Sequence, residues 1–218
     1  MKRFLIVGAV AVGVMSMVMG CSKSNDHAGH KEMANQQAAS TSTNDVTRDN
    51  WLVPEFTYTD QDGKKFGSQD LKGKVYLSNF IFTSCPDVCP PMTANMRKIQ
   101  EDLKADGLNV EIVSFSVDPE TDKPAVLKAF GEKHKADFSN WHFLTGYALS
   151  DMEKLARETF KGTVEKQESQ VQGGKPLFQH PVQFYLVDGT GKVRKFYNGM
   201  NPDQALIKKD VKEVLGSK

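Results

Sequence analysis

Apolar and polar positions divide the chain from Trp51 onward into strands and helices. Val75 to Phe82, VYLSNFIF, is a nearly continuous apolar run with the length of a buried strand, and Val110 to Val117, VEIVSFSV, is a second. Between them, apolar residues recur at steps of three and four, which predicts an amphipathic helix that ends near Gly107. These residues are Met92, Met96, Ile99 and Leu103.

The remaining segments predict further elements in alternating order. Phe56 to Thr59 should form a short strand before a turn at 60–63, and Ser150 should cap a helix to Phe160, with Glu153 completing a capping box. The other expected elements are a helix at 124–134, a strand at 141–144, a loop or hairpin at 161–179, a hairpin of strands 182–187 and 193–197 around 188–191, and a helix at 202–215. This order predicts an α/β protein with a thioredoxin-like fold, in which helices flank both faces of a central mixed β-sheet.

The first twenty residues have a different pattern. Two basic residues precede an apolar run at 4–19 that ends on small Gly20, as in a secretory signal peptide. The alternative is an uncleaved membrane anchor, but the run is somewhat short for a span of about 20 residues. The letters VMGC at 18–21 also resemble a bacterial lipoprotein cleavage box, in which Cys21 becomes lipidated. We therefore expect an exported protein, tethered to a membrane on the extracytoplasmic side by a lipid anchor.

Residues 21–50 should be a flexible, lipid-anchored tether. They carry almost no large apolar side chains, so they cannot bury enough surface to offset the entropy lost on ordering. The folded domain is accordingly expected at 51–218. Within the tether, His27, His30 and Met33 recur at intervals of three and could bind auxiliary copper, although incidental histidines in a disordered linker are the favoured interpretation.

Composition and charge exclude one class of partner. The chain has 218 residues, of which 39% are hydrophobic and 25% charged, as in ordinary globular proteins. It has 28 basic and 27 acidic residues, a net charge of +1, and no basic cluster stands out. We therefore expect no nucleic-acid partner.

Two of the three cysteines lie in FTSCPDVCPP, at the end of the first buried strand. If Cys21 carries lipid, Cys85 and Cys89 remain as a pair that can be oxidised outside the cytoplasm. The start of a helix stabilises a thiolate, which is both a nucleophile and a metal ligand. If both residues were helical, their Cβ atoms would lie about 5–6 Å apart, which suits a disulfide or a shared ion. A staple around so small a loop would stabilise little, whereas a redox couple and a metal site both stay open.

The choice between zinc and copper depends on whether a histidine joins the two cysteines as a ligand. A structural zinc site needs four protein ligands, whereas two thiolates and one imidazole suit copper as Cu(I) and Cu(II). His134 ends a lysine-rich helix and should be exposed, and His142 lies in a strand as a core or edge residue. His180, in FQHPVQFYLVD, precedes a strand whose start faces the cysteine turn in a thioredoxin-like sheet. His180 is therefore the candidate third ligand.

Four segments in order resemble the Sco/SenC family. They are FTSCPDVCPPM at 82–92, VSFSVDPETDKP at 113–124, WHFLTG at 141–146 and QHPVQFYLVDGTGKV at 179–193. The resemblance implies a thioredoxin-like fold and copper binding by Cys85, Cys89 and His180. It also implies delivery of copper to cytochrome c oxidase, or reduction of the cysteines of that enzyme's copper site.

The chain departs from the family's pattern beside the histidine. The family often has an acidic residue before it and a small polar residue after it, whereas this chain has Gln179 and Pro181. Loss of that carboxylate bears on copper affinity and oxidation-state preference. Asp118 and Asp122 match the family's acidic turn and are expected as turn and helix-cap residues.

Two functional hypotheses follow. The first is a copper metallochaperone with a redox-active CxxxC pair, which is not an enzyme in the usual sense. The second is an extracytoplasmic thiol–disulfide reductase that acts on the oxidase or another exported protein. The two are compatible, because both use the sulfurs of Cys85 and Cys89.

Overall fold

The computed structural model describes residues 44–47, 49, 51–167 and 175–216, which form nine strands and four helices. The strands are β1 Thr57–Thr59, β2 Lys65–Gly67, β3 Tyr76–Ile81, β4 Glu111–Ser116, β5 Trp141–Leu144, β6 Glu165–Gln167, β7 Leu177–Gln179, β8 Gln183–Val187 and β9 Val193–Asn198. The helices are α1 Cys89–Ala105, α2 Pro124–Lys133, α3 Leu149–Glu158 and α4 Gln204–Gly216.

A mixed sheet of five strands, in the order β5-β4-β3-β8-β9, forms the centre of the domain. Strands β3, β4 and β5 are parallel, while β8 is antiparallel to β3 and β9 is antiparallel to β8. Every residue of β3 and β4 is buried, so both faces of the sheet are covered. The predicted α/β fold is confirmed.

The register of β3 with β8 brings distant parts of the sequence to one end of the sheet. Tyr76 pairs with Val187, and Ser78 pairs with Tyr185. Because the strands are antiparallel, the segment before β8 lies at the carboxyl end of β3. That end leads into the cysteine turn and α1, so the sheet places the His180 segment beside the two cysteines.

An aromatic cluster supports the strand that leads to the cysteines. Phe80 in β3 is fully buried, and its ring centroid lies 5.9 Å from that of Phe115 and 5.3 Å from that of Phe160. Tyr185 in β8 completes the cluster at 6.4 Å from Phe80. Each such side chain contributes roughly 1.5–3 kcal/mol when fully buried, so the end of β3 is firmly held.

Residues before β1 run along β9, the edge strand of the sheet. The Val46 N–H donates to the Arg194 carbonyl at 3.0 Å, and the Val193 N–H donates to the Trp51 carbonyl at 2.8 Å. The Trp51 ring also stacks on Phe196, with ring centroids 6.2 Å apart. This edge of the sheet is therefore paired.

The hairpin predicted at 182–197 is present, and the segment at 161–179, predicted as a loop or hairpin, contains a pair of strands. Strands β6 and β7 pair antiparallel within 161–179, and β8 and β9 flank the turn at 188–191. The turn after β1 also forms, since Asp60 Oδ1 accepts the N–H groups of Asp62 and Lys64. Strand β2, which pairs antiparallel with β1, was not predicted.

The predicted capping box at Ser150 is wrong. Helix α3 begins at Leu149, with Ala148 at its N-cap and no side-chain cap, so Ser150 lies inside the first turn. Leu149 packs against the core and continues the buried stripe of Met152, which moves the start of the helix towards the N-terminus. Apolar packing thus outweighs the capping signal.

The predicted signal peptide and residues 21–43 of the predicted tether lie outside the described residues, as do Cys21, His27, His30 and Met33. The end of the predicted tether is described at 44–47 and 49, and there Val46 is buried and pairs with β9. Among the helices that the structure describes, none is both long enough and apolar enough to cross a membrane.

Candidate metal centre

Cys85 lies in a tight turn that follows β3. Its backbone N–H donates to the carbonyl oxygen of Phe82 at 3.3 Å. The side chain is 9% exposed, and the neighbouring Pro86 and Asp87 are exposed. The thiol therefore lies just beneath the surface.

Cys89 is the first residue of α1 and is fully buried. The two cysteines do not share a helix face, because Cys85 precedes the helix. A residue before a proline disfavours the helical conformation, and Pro86 follows Cys85 directly. The pair meets instead through a turn, in which the Cys89 N–H donates to Cys85 Sγ at 3.4 Å and the Phe82 N–H donates to Cys89 Sγ at 3.5 Å.

His180 joins the cysteines from the segment between β7 and β8. Its Nε2 lies 3.3 Å from Cys89 Sγ, and its Nδ1 lies 3.0 Å from the carbonyl oxygen of Pro181. A carbonyl oxygen only accepts, so Nδ1 carries the hydrogen and Nε2 presents its lone pair to the sulfur. The residue is buried, and its ring meets Phe82 edge-on at a centroid distance of 5.8 Å.

A close contact between Gly162 and Pro181 supports the position of His180. Gly162 lies against the ring of Pro181, and a Cβ at this position would lie 2.3 Å from Pro181 Cγ. Only glycine allows this approach, which holds the peptide that accepts the hydrogen bond of His180. Nothing in the sequence pattern indicates this contact.

The two cysteines have opposite proton affinities. The hydrogen bond from the Cys89 thiol lowers the pKa of Cys85 far below that of an ordinary thiol, against the effect of burial. The same hydrogen bond raises the pKa of Cys89, and burial raises it further. The pair therefore favours the negative charge on Cys85 and the proton on Cys89.

The donor set fits copper. Both sulfurs and the imidazole nitrogen lie within 4.8 Å of one another, and neither cysteine is in a disulfide. Two soft thiolates with one imidazole match the preference of copper, whereas a structural zinc site would need a fourth ligand. The structure thus brings together all three residues that the sequence singled out for copper.

The other two histidines of the domain lie elsewhere. His142 is on the edge strand β5, as expected, with Nε2 3.3 Å from Glu111 Oε2 and its ring stacked on Phe66 at 3.8 Å. The expectation that His134 is exposed is wrong, because its ring packs on Phe130 at 4.5 Å and is half-buried. Burial lowers the pKa of His134.

Asp122 is a residue whose role the sequence reading missed. The expected helix-cap role is wrong, because α2 begins at Pro124 with Lys123 at the N-cap and no side-chain cap. Asp122 is instead fully buried and accepts hydrogen bonds from Thr83, two residues before Cys85. Asp118 is a turn residue, as expected, and accepts the N–H of Thr121. The spacing of the two aspartates could not separate these roles.

Comparison with known proteins gives a family match and similar structures. The SCO1/SenC family model matches residues 44–216. A SCO1/SenC family lipoprotein from Bacillus anthracis strain Ames is 48% identical, with a TM-score of 0.70 over 76% of this chain and 95% of that one. BsSco, described as a member of the Sco family of cytochrome c oxidase assembly proteins with a disulfide switch, is 45% identical, with a TM-score of 0.67 over 78% and 96%. ScoI of Bradyrhizobium japonicum, solved with copper bound, is 27% identical, with a TM-score of 0.63 over 75% and 99%.

Proposed function

The chain belongs to the SCO1/SenC family, and from that premise we propose that it is a copper metallochaperone that binds copper through Cys85, Cys89 and His180. The observation that carries the proposal is the convergence of two sulfurs and one nitrogen within 4.8 Å, in a buried site formed by the cysteine turn at the start of α1 and the segment between β7 and β8. The copper-bound relative from Bradyrhizobium supports the choice of metal.

The protonation of the site suits uptake of a metal ion. The Cys85 thiolate is ionised before the metal arrives and lies closest to the exposed loop at Pro86, so it is the first ligand to form. Cys89 must lose its proton when it binds, while Nε2 of His180 has its lone pair available. Uptake therefore releases about one proton per copper at neutral pH.

We further propose cytochrome c oxidase as the recipient of the copper. Support comes from BsSco, which is 45% identical to this chain over the aligned residues and is described as a member of the Sco family of cytochrome c oxidase assembly proteins. Transfer at the rim of the site would begin with Cys85, the cysteine that is partly accessible. The recipient's own thiolates could then replace the three ligands one at a time.

The second candidate function is thiol–disulfide reduction of the oxidase or another exported protein. The observation that favours it is the asymmetric pair, in which a Cys85 thiolate lies beside a protonated Cys89. The Cys85 thiolate attacks a partner disulfide, breaks its S–S bond and releases one partner thiolate. Cys89 then loses its proton to that thiolate or to water and attacks Cys85 of the mixed disulfide, so the partner leaves as a dithiol and Cys85 and Cys89 become the disulfide. A Cys89→Ser chain should accumulate a mixed disulfide on non-reducing gels, and its absence in cells would count against the reductase.

We also propose that the chain works outside the cytoplasm, held to a membrane by lipid on Cys21. The pattern of residues 1–21 supports this, as does the description of the Bacillus anthracis relative as a lipoprotein. In the producing bacterium, a clickable fatty acid should label the chain but not its Cys21→Ala variant. Equal labelling of the two would refute the anchor.

The test of the metallochaperone is an anaerobic copper titration of the reduced full-length chain. Stoichiometric Cu(I) uptake and a thiolate-to-Cu(II) absorption band are expected, and His180→Ala should weaken binding about 10- to 100-fold and shift the band and the EPR spectrum. His134→Ala is the matched control, because this half-buried histidine lies outside the site. If His180→Ala behaves like the control, His180 is not a ligand.

A further inference from the structure

The Asp122 carboxylate joins the carboxyl ends of β3 and β4. Its Oδ1 accepts the hydroxyl of Thr83 at 2.5 Å, and its Oδ2 accepts the hydroxyl of Ser116 at 2.6 Å. Both oxygens also accept the backbone N–H of Thr83, at 3.3 and 3.2 Å. Asp122 is 0% exposed, so all of these bonds are made away from water.

Asp122 is itself held firmly. Its backbone N–H donates to the carbonyl of Asp118 at 2.8 Å, within the loop between β4 and α2. Burial raises the pKa of its carboxyl, while the bonds from Ser116 and Thr83 act in the opposite direction. An apolar residue would be less costly to bury, so the carboxyl group calls for a function beyond filling space.

Thr83 connects this carboxylate to the metal centre. It follows Phe82 in the turn that closes with the 3.3 Å hydrogen bond from the Cys85 N–H. The same turn contacts the second sulfur, because the Phe82 N–H donates to Cys89 Sγ. The position of Thr83 therefore influences where both sulfurs lie.

Resting on the proposed copper function, we propose that Asp122 is a positioning residue of the metal centre. Through its paired hydrogen bonds to Thr83, it fixes the turn that carries Cys85 and so sets the separation of the two sulfurs. Its carboxylate accepts hydrogen bonds from Thr83 and Ser116, and no described hydrogen bond joins it to either cysteine. Loss of the bonds frees the turn and increases the entropy that copper must remove on binding.

A double-mutant cycle tests this inference. Thr83→Val removes the hydroxyl and keeps the side-chain shape, and Asp122→Asn removes the charge and one acceptor oxygen. Each should weaken Cu(I) binding about tenfold in a chelator competition and shift the thiolate-to-Cu(II) band. The double variant should be little weaker than either single variant, because each single change already weakens the same link between Thr83 and Asp122. Thr83→Ser keeps the hydroxyl and should restore wild-type behaviour.

Asp118→Asn is the matched control. Asp118 lies in the same loop and is 2% exposed, but its carboxylate accepts the Thr121 N–H at 3.2 Å and does not reach the cysteine turn. Its copper affinity should stay within about twofold of wild type, and thermal melting of every variant identifies any that fail to fold. Asn is preferred to Ala at position 122, because Ala would leave three buried donors unsatisfied.

A measurement on the metal-free protein tests the positioning role of Asp122 independently of the copper proposal. The rate at which iodoacetamide alkylates Cys85 in the reduced apo protein should change in Thr83→Val and Asp122→Asn alike, and not in Asp118→Asn. If the wild type takes up no copper but these rates change together, the copper function fails and the positioning role stands. If the cycle is additive, or if both single variants match wild type in alkylation rate, band position and affinity, the inference is overturned.

Discussion

Enlarging Gly162 should disturb the metal centre without touching a ligand. A Cβ at this position would lie 2.3 Å from Pro181 Cγ, whereas ordinary van der Waals contact begins at 3.4 Å. The two residues must therefore separate by about 1.1 Å in Gly162→Ala. Gly162 has no left-handed φ, so the effect is steric and does not come from backbone strain.

The displacement reaches His180 through the chain. Pro181 follows His180, and its carbonyl accepts the hydrogen bond that fixes the imidazole. A functional site needs its groups placed within about 0.5 Å, and the required shift is roughly twice that. We expect overpacking to lower the free energy of unfolding by about 1–3 kcal/mol and the changed ligand geometry to weaken copper binding about 10- to 100-fold.

The assay is Cu(I) competition together with the thiolate-to-Cu(II) spectrum of Gly162→Ala, and thermal unfolding is followed in parallel. Gly216→Ala is the control, because a Cβ at that glycine at the end of α4 meets nothing within 4 Å. A melting temperature about 2–4 °C lower per kcal/mol lost is expected for the Gly162 variant alone. If Gly162→Ala keeps wild-type affinity, spectrum and stability, the contact with Pro181 does not hold the histidine in place.

Two pH dependences follow from the charges of the described residues. The Cys89 thiol lowers the pKa of Cys85, and the pKa of Cys89 itself is raised. At about pH 6, iodoacetamide should therefore label Cys85 and spare Cys89. Peptide mass spectrometry that finds labelling of Cys85 only above about pH 8 would contradict this assignment. Burial raises the pKa of Glu111, but hydrogen bonds from His142 and Lys74 outweigh burial and hold this pKa below 4.5. Glu111 therefore contributes stability that is present above about pH 4.5 and lost as the pH falls below it. In Glu111→Gln, the free energy of unfolding in urea should depend less on pH in that range. If its pH dependence is the same as in wild type, the ion pair adds no stability.

The sequence predicted the fold because its strands and helices carry strong periodic signals. The apolar runs that became β3 and β4 are buried at every position, and the stripe that begins at Met92 is the buried face of α1. The antiparallel placement of β8 then followed from the fold class, which put His180 near the cysteines. Local signals failed where packing opposed them, as at Ser150, where Leu149 decides the start of the helix.

The supports of the site could not be predicted in the same way. The contact of Gly162 with Pro181 and the bonds from Thr83 to Asp122 join residues that are far apart in the sequence, and neither has a periodic pattern. From the sequence alone, Asp122, two residues before the helix that begins at Pro124, could equally well be a helix cap or a buried hydrogen-bond acceptor. Only the tertiary structure shows that its carboxylate turns inward.

The pairing of Val46 and Trp51 with β9 bears on how the molecule avoids self-association. An unpaired edge strand offers its N–H and C=O groups to any other extended chain, including a second copy of itself. Here the carbonyl of Arg194 and the N–H of Val193 are already used by Val46 and Trp51. A shortened chain that begins after Trp51 would lose this cover and expose a template for strand addition, so the stretch that leads into the domain also keeps neighbouring copies from joining edge to edge when they are crowded together.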